Sequence, residues 1–128
     1  MFVRLLSLAK NTTIQHMVRM LITGGVGFIG VNAARYFCER GWDITVFDNF
    51  SRRGVGHNAD FLHKKLGDRV RIIRGDVRSR RDLANVIEGQ EVILHLAAQA
   101  AVTTSIAEPW GDFKTNTQGT MRVLEASR

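Results

Sequence analysis

Three glycines fall three residues apart in Thr23-Gly24-Gly25-Val26-Gly27-Phe28-Ile29-Gly30, between a short apolar run and a helical pattern. Each has a separate expected job. Gly24 permits a tight turn, Gly27 lets the backbone approach a pyrophosphate, and Gly30 lets the helix pack closely on the strand. Free N–H groups and the dipole at the helix start favour such an anion. Asp48 follows Gly30 by 18 residues and ends the next apolar run. A carboxylate there can accept from both hydroxyls of an adenosine ribose. It repels a 2′-phosphate, so NAD is expected rather than NADP. Arg52 and Arg53 stand close by and could pair with that phosphate, but Asp48 is the nearer and more specific signal.

Two further stretches extend the pattern. Gly75-Asp76-Val77 follows the third apolar run, and its carboxylate can accept from an adenine amino group. In His95-Leu96-Ala97-Ala98-Gln99, small residues at a strand end let a cofactor pass over the backbone. His95 reads as a packed histidine rather than a base or ligand. No second His, Cys or carboxylate shares a metal-like spacing with it, so no metal site is expected.

The elements that must position these residues alternate along the chain, the pattern of a parallel sheet with crossover helices. Strands are expected at 18–23, 43–48, 70–74 and 91–96. Helices are expected at 28–40, 58–66, 79–88 and from Pro109 to about Ser127. Ile29, Ala33 and Phe37 share one face of the first helix, and Gly41 closes it. Ser79 with Asp82 resembles a capping box. Pro109 suits a first helical turn, where its missing N–H costs nothing. Residues 49–57 and 97–108 read as loops.

Composition excludes several classes. The chain has 128 residues, 45% hydrophobic and 23% charged, which suits one globular domain. No apolar run approaches the roughly 20 residues that span a bilayer. Net charge is +6. The basic residues are scattered, and no base-stacking aromatics are interleaved with the short cluster Arg78, Arg80, Arg81, so nucleic acid is set aside. Cys38 is the single cysteine. It allows no internal disulfide, fits a reducing, cytoplasmic setting, and reads as a small buried hydrophobe. Residues 1–17 carry Arg4, Lys10 and a broken apolar patch, with no convincing cleavage site. They are expected to be a disordered extension, with the domain proper at 18–128.

Taken together, the four motifs resemble the extended short-chain dehydrogenase/reductase family of NAD-dependent epimerases and dehydratases, whose members show TGGxGFIG, an acidic second-strand end, GDxR and HLAA. The resemblance covers residues 18–128. Asp48-Asn49-Phe50-Ser51-Arg52, Thr103-Thr104-Ser105-Ile106 and Asp112-Phe113-Lys114-Thr115-Asn116-Thr117-Gln118-Gly119-Thr120 look like its CDP-paratose 2-epimerase branch. The resemblance implies an α/β, Rossmann-like, doubly wound parallel sheet, here truncated after about four strands. It implies cofactor contacts at Gly24, Gly27, Phe28, Ile29, Gly30, Asp48, Asn49, Ser51, Arg52, Asp76, Val77, Leu96, Ala97, Ala98 and Gln99. It further implies substrate contacts at Gln99, Thr104 and Ser105, and an architectural role for Asn116. The implied partner is a CDP-linked sugar, oxidised transiently at C2 by bound NAD. A 4-epimerase, a 4,6-dehydratase and a non-catalytic dinucleotide-binding module remain alternatives. An intact protein is expected to form homo-oligomers.

The catalytic Tyr-x-x-x-Lys of that family is missing. The single tyrosine is Tyr36, and Arg40 stands four residues after it. The chain is therefore expected to be an N-terminal portion, inactive alone. Its fourth strand, Val92-Ile93-Leu94-His95-Leu96, is expected to present an open apolar edge and to promote self-association.

Overall fold

Parallel strands covered on both faces need nearly continuous apolar runs, and the strands of this chain supply them. The computed structural model describes residues 2–4 and 16–128. Its strands are β1 (Phe2–Arg4), β2 (Arg19–Thr23), β3 (Asp43–Asp48), β4 (Val70–Arg74) and β5 (Val92–His95). They form one sheet in the order β1-β5-β2-β3-β4. β5, β2, β3 and β4 are parallel neighbours, with Ile22 opposite Val46 and Leu94, and Val46 opposite Ile72.

The helices are α1 (Phe28–Cys38), α2 (Val55–Leu66), α3 (Arg80–Ile87), α4 (Val102–Ala107), α5 (Pro109–Phe113) and α6 (Thr120–Ala126). A π-helical segment, Lys114–Gly119, joins α5 to α6. Because side chains alternate along a strand, the sheet buries two separate cores. Met20, Ile22, Ile44 and Val46 face α1 and α2, where Ala34, Cys38, Leu62 and Leu66 meet them. Leu21, Phe47 and Ile93 face the other way, toward Leu83, Val86 and Ile87 of α3 and Val123 of α6. Cys38 is buried, and burial pushes its thiol up. This is the Rossmann-like arrangement expected: four parallel strands with helices on both faces.

Three expectations are corrected. The edge of β5 is paired rather than open: Phe2, Val3 and Arg4 lie antiparallel to it, opposite Leu94, Ile93 and Val92. The expected extension thus supplies a strand, while residues 1 and 5–15 lie outside the described residues. The stretch 97–108 contains α4. α4 escapes a periodicity reading because it buries no residue, and its apolar Val102 and Ile106 face outward. α2 begins at Val55 rather than residue 58, directly after Gly54 at φ 84. The helix from Pro109 is present, with the π segment inside it. Ser79 caps α3 by accepting from the Asp82 N–H at 3.2 Å. No helix among the described residues is long and apolar enough to cross a membrane.

Candidate functional site

At the C-terminal ends of the parallel strands the chain passes directly from β2 into the glycine run. Gly24 turns at φ 67, and a Cβ there would stand 2.7 Å from the Ala97 nitrogen. Only glycine satisfies both the left-handed backbone and the close approach. Gly30 is the helix-packing glycine, since a Cβ would meet Gly25 Cα at 2.5 Å and the Gly24 carbonyl oxygen at 2.7 Å. Gly27 differs. An added Cβ would meet the Gly24 oxygen at 3.1 Å and nothing else within 4 Å, so the space beyond it is open.

The loop hangs on β3. The Gly24 N–H donates to the Phe47 carbonyl at 2.8 Å, and the Val26 N–H to Asp48 Oδ2 at 3.3 Å. Asn58 of α2 donates to the Val26 carbonyl at 2.8 Å. α1 then starts at Phe28, with Gly27 as an N-cap that offers no side-chain hydrogen bond. The first amide to find a carbonyl is that of Val31, bonded to Gly27 at 2.9 Å. The N–H groups of Phe28, Ile29 and Gly30 are left pointing out of the helix start, an arrangement suited to an anion. The Phe28 and Ile29 side chains are exposed.

Asp48 uses only part of its capacity. Oδ1 accepts from the Phe50 N–H at 2.9 Å and Oδ2 takes the Val26 bond. An ionised carboxylate accepts about four bonds, so two positions remain for ligand hydroxyls. Phe50 holds φ 60, unusual for a bulky residue. Its ring lies 5.6 Å from the Arg74 guanidinium carbon.

Asp76 is the opposite case. Its Oδ1 accepts from the Arg78 backbone N–H and Nε at 2.8 and 2.9 Å. Its Oδ2 accepts from Arg78 Nη2 at 2.7 Å and Asn49 Nδ2 at 3.2 Å. The Arg78 guanidinium holds this carboxyl down to about 2. With all four positions filled, Asp76 has no spare acceptor for an adenine amino group in this arrangement.

A cleft of about 310 Å³ runs from the glycines to the helices after β5, a size adequate for a small ligand. Of the residues read from sequence, Gly24, Gly27, Asp48, Asn49, Ser51, Arg52, Val77, Leu96, Ala97, Ala98, Gln99 and Thr104 line it. Phe28, Ile29, Gly30, Asp76, Ser105 and Asn116 stand outside that lining. Sequence reasoning missed Arg78, Glu108, Asp112 and Thr115, which also line it. The i, i+2 spacing of Asp76 and Arg78, typical of an Asx turn, and the i, i+4 spacing of Asp112 and Asn116 were the available signals.

Asn116 braces the far end. Its Oδ1 accepts from the Gln99 N–H at 2.7 Å, and its Nδ2 donates to the Gln99 carbonyl at 2.9 Å and Asp112 Oδ1 at 2.6 Å. One side chain thus pairs with both backbone groups of Gln99, as a neighbouring strand would. His95 lies between the ends, within reach of Thr23 and Thr120. Burial pushes its imidazole below the ordinary value, so it is neutral near pH 7. Among the described residues no group of three His, Cys, Asp or Glu is arranged to hold a metal.

Comparison with known proteins accords with this geometry. Residues 21–128 match the family described as GDP-mannose 4,6 dehydratase. The chain is 42% identical over 113 residues to the CDP-paratose 2-epimerase of Salmonella typhi, covering 87% of this chain and 33% of that protein. It is 30% identical over 113 residues to the dTDP-glucose 4,6-dehydratase of Mycolicibacterium smegmatis, with coverage of 87% and 33%. Among solved structures, DesIV, a dTDP-glucose 4,6-dehydratase from Streptomyces venezuelae with NAD and TYD bound, superposes with a TM-score of 0.77 at 31% identity. That match covers 86% of this chain and 35% of that one. The UDP-glucose-4-epimerase of Stenotrophomonas maltophila, with NAD and formylated UDP-arabinopyranose bound, gives 0.75 at 26% identity, covering 87% and 33%. The chain spans about a third of the length of these relatives. With its glycine-loop site, strand-end carboxylate and Rossmann-like sheet, it belongs to the GDP-mannose 4,6 dehydratase family of epimerases and dehydratases.

Proposed function

We propose that this chain is the dinucleotide-binding part of an NAD-dependent nucleotide-sugar epimerase acting at C2 of a CDP-linked dideoxyhexose. The observation that carries the cofactor half is the pairing of unpartnered α1 amides with an under-used Asp48 carboxylate across one cleft. The amides suit a pyrophosphate and Asp48 suits ribose hydroxyls. The substrate half is supported by the similarity to the CDP-paratose 2-epimerase.

The residues present fit NAD at its adenosine ribose and pyrophosphate. When bound, NAD supplies reversible hydride acceptance at a sugar carbon. What this chain's own residues do is bind and orient. Gly27 leaves room for phosphate, Asp48 holds ribose, and Gln99 and Thr104 face the cleft where a sugar nucleotide would lie. Among the described residues no Tyr–Lys acid–base pair for the sugar hydroxyl lines the cleft. Tyr36 lies on α1, and Arg40 stacks on its ring with the guanidinium carbon 3.4 Å from the centroid. Val102, Ile106, Trp110 and Phe113 are exposed apolar residues close to the cleft, in keeping with a surface covered in a larger assembly.

Calorimetry with NAD, NADP and ADP-ribose tests the cofactor half. NAD is expected to bind more tightly than NADP, and ADP-ribose nearly as well as NAD. Gly27→Val should abolish binding of all three while circular dichroism shows helix content retained. Tighter NADP binding, or unchanged NAD affinity in Gly27→Val, would remove the reading. For the substrate half, the isolated chain should not turn over a CDP-linked sugar. A longer protein carrying the rest of the relatives' length should invert C2. A 4-keto-6-deoxy product would favour the dehydratase instead.

A further inference from the structure

The hydrogen bonds around His95 fix its protonation state by counting donors. The Thr120 hydroxyl has one proton, and it is given to the Asn116 carbonyl at 2.6 Å. Thr120 Oγ1 therefore accepts from His95 Nε2, 3.0 Å away, which must carry a hydrogen. Neutral His95 then has a bare Nδ1, which accepts the Thr23 hydroxyl proton at 2.6 Å. Thr23 Oγ1 in turn accepts from the N–H groups of Leu96 and Ala97 at 3.2 and 3.3 Å. Each hydroxyl and imidazole proton has one acceptor and no lone pair is asked to act twice, while the Leu96 N–H is shared between Thr23 Oγ1 and the Thr23 carbonyl at 3.0 Å. An imidazolium would put a second proton between Nδ1 and Thr23 Oγ1 and leave the Thr23 proton without an acceptor.

The path runs through both ends of the cleft. Thr23 immediately precedes Gly24, whose missing Cβ touches Leu96 and Ala97. Asn116, at the other end of the path, pairs with both backbone groups of Gln99. We propose that His95, locked as the Nε2–H tautomer, is a positioning residue that couples the glycine-loop end of the cleft to the Gln99 end. A displacement at Thr120 then reaches Gly24 through two hydrogen bonds and the Leu96–Ala97 backbone. The consequence for ligand affinity rests on the dinucleotide reading above; the tautomer and the coupling in the ligand-free chain do not.

The test is NMR of the full 128-residue chain with labelled histidine, the His95 signal being assigned by its loss in His95→Gln. At neutral pH the wild-type ring should show an unprotonated Nδ1 and an exchange-protected Nε2–H. A Nδ1–H tautomer or an imidazolium in the wild-type chain would overturn the proposal. Thr120→Val keeps the shape of the side chain but removes both hydrogen bonds. It should shift the amide resonances of Gly24 and Ala97, and Thr120→Ser should restore them. Unmoved resonances in Thr120→Val would show that the two ends are independent. Because ADP reaches only the glycine end, its affinity gives a second readout. Thr120→Val should weaken ADP binding about threefold to tenfold, the scale of coupling within one hydrogen-bond network, with recovery in Thr120→Ser. Unchanged ADP affinity would count against coupling. Failure of the wild-type chain to bind ADP would count against the dinucleotide reading, and the coupling would still be decided by the amide resonances.

Discussion

The two ends of the cleft are built by different means. At the glycine end, shape is set by backbone and by missing side chains: Gly24 against Ala97, Gly30 against Gly25, loop amides on the Phe47 carbonyl. At the Gln99 end, shape is held by side-chain hydrogen bonds, with one asparagine pairing both backbone groups of a loop residue. The first construction fails when an atom is added. The second fails when a polar atom is lost.

The sharpest way to break that contrast is to add atoms at Gly30. Gly30→Val would push a side chain into the Gly25 backbone at 2.5 Å, where nothing can yield without moving α1. We expect a loss of about 3 kcal/mol, at the upper end of ordinary overpacking, read by urea denaturation. A loss well below about 1 kcal/mol would mean that this end is more pliable than its geometry suggests.

Next comes removal of polarity at the other end. Asn116→Leu keeps bulk but leaves the half-buried Gln99 N–H and C=O unpaired. The expected cost is about 2 kcal/mol, with faster amide exchange at Gln99. Asn116→Ala costing no more than Thr117→Ala would show that the brace is dispensable.

Asp48 belongs to the glycine end but acts by polarity, so it sharpens the comparison. Asp48→Ala should weaken adenosine-containing ligands by about 1–3 kcal/mol, the scale of a lost hydrogen bond to a charged group. Calorimetry with ADP-ribose measures it. An equal loss with inorganic pyrophosphate would place the effect on loop shape rather than on ribose.

The smallest expected effect is that of the Asp76–Arg78 pair, partly open to solvent. Its carboxyl is held at about 2, below the ordinary 3.8, so the pair stabilises the fold above about pH 4 and that contribution is lost as pH falls through about 2. Screening limits it to about 1 kcal/mol or less. Acid titration of stability should lose part of its slope in Asp76→Asn. An unaltered slope would assign the acid sensitivity to other carboxylates.

The same contrast explains what could be read from sequence. The glycine end obeys local rules: a spacing of three, a strand-end acid, a helix start. The strands from β2 to β5 were legible because each is a mainly apolar run, interrupted inside by no more than one polar residue such as Thr45 or Arg71. The Gln99 end depends on partners 17 residues apart, and His95 on partners 72 and 25 residues away, which no local pattern encodes. α4 was missed because it buries none of its residues. β1 was missed because three residues carry too little strand preference of their own. They are ordered by the unpaired groups of β5 along which they lie.

The π-helical segment has a consequence of phase. An α-helical residue advances the side-chain direction by about 100°, and a π turn absorbs one extra residue relative to an α turn. Lys114–Gly119 therefore acts as a gear offset between α5 and α6. Asn116, Thr120 and Val123 stand at i, i+4 and i+7 and so share one side, with Asn116 on the Gln99 loop, Thr120 beside His95 and Val123 in the core beneath α3. Deleting one residue from the segment would restore regular winding with α6 still in phase, whereas deleting Met121 from α6 itself would rotate everything after it by roughly a quarter of a turn. Val123 would then turn away from the core, although it had not been substituted.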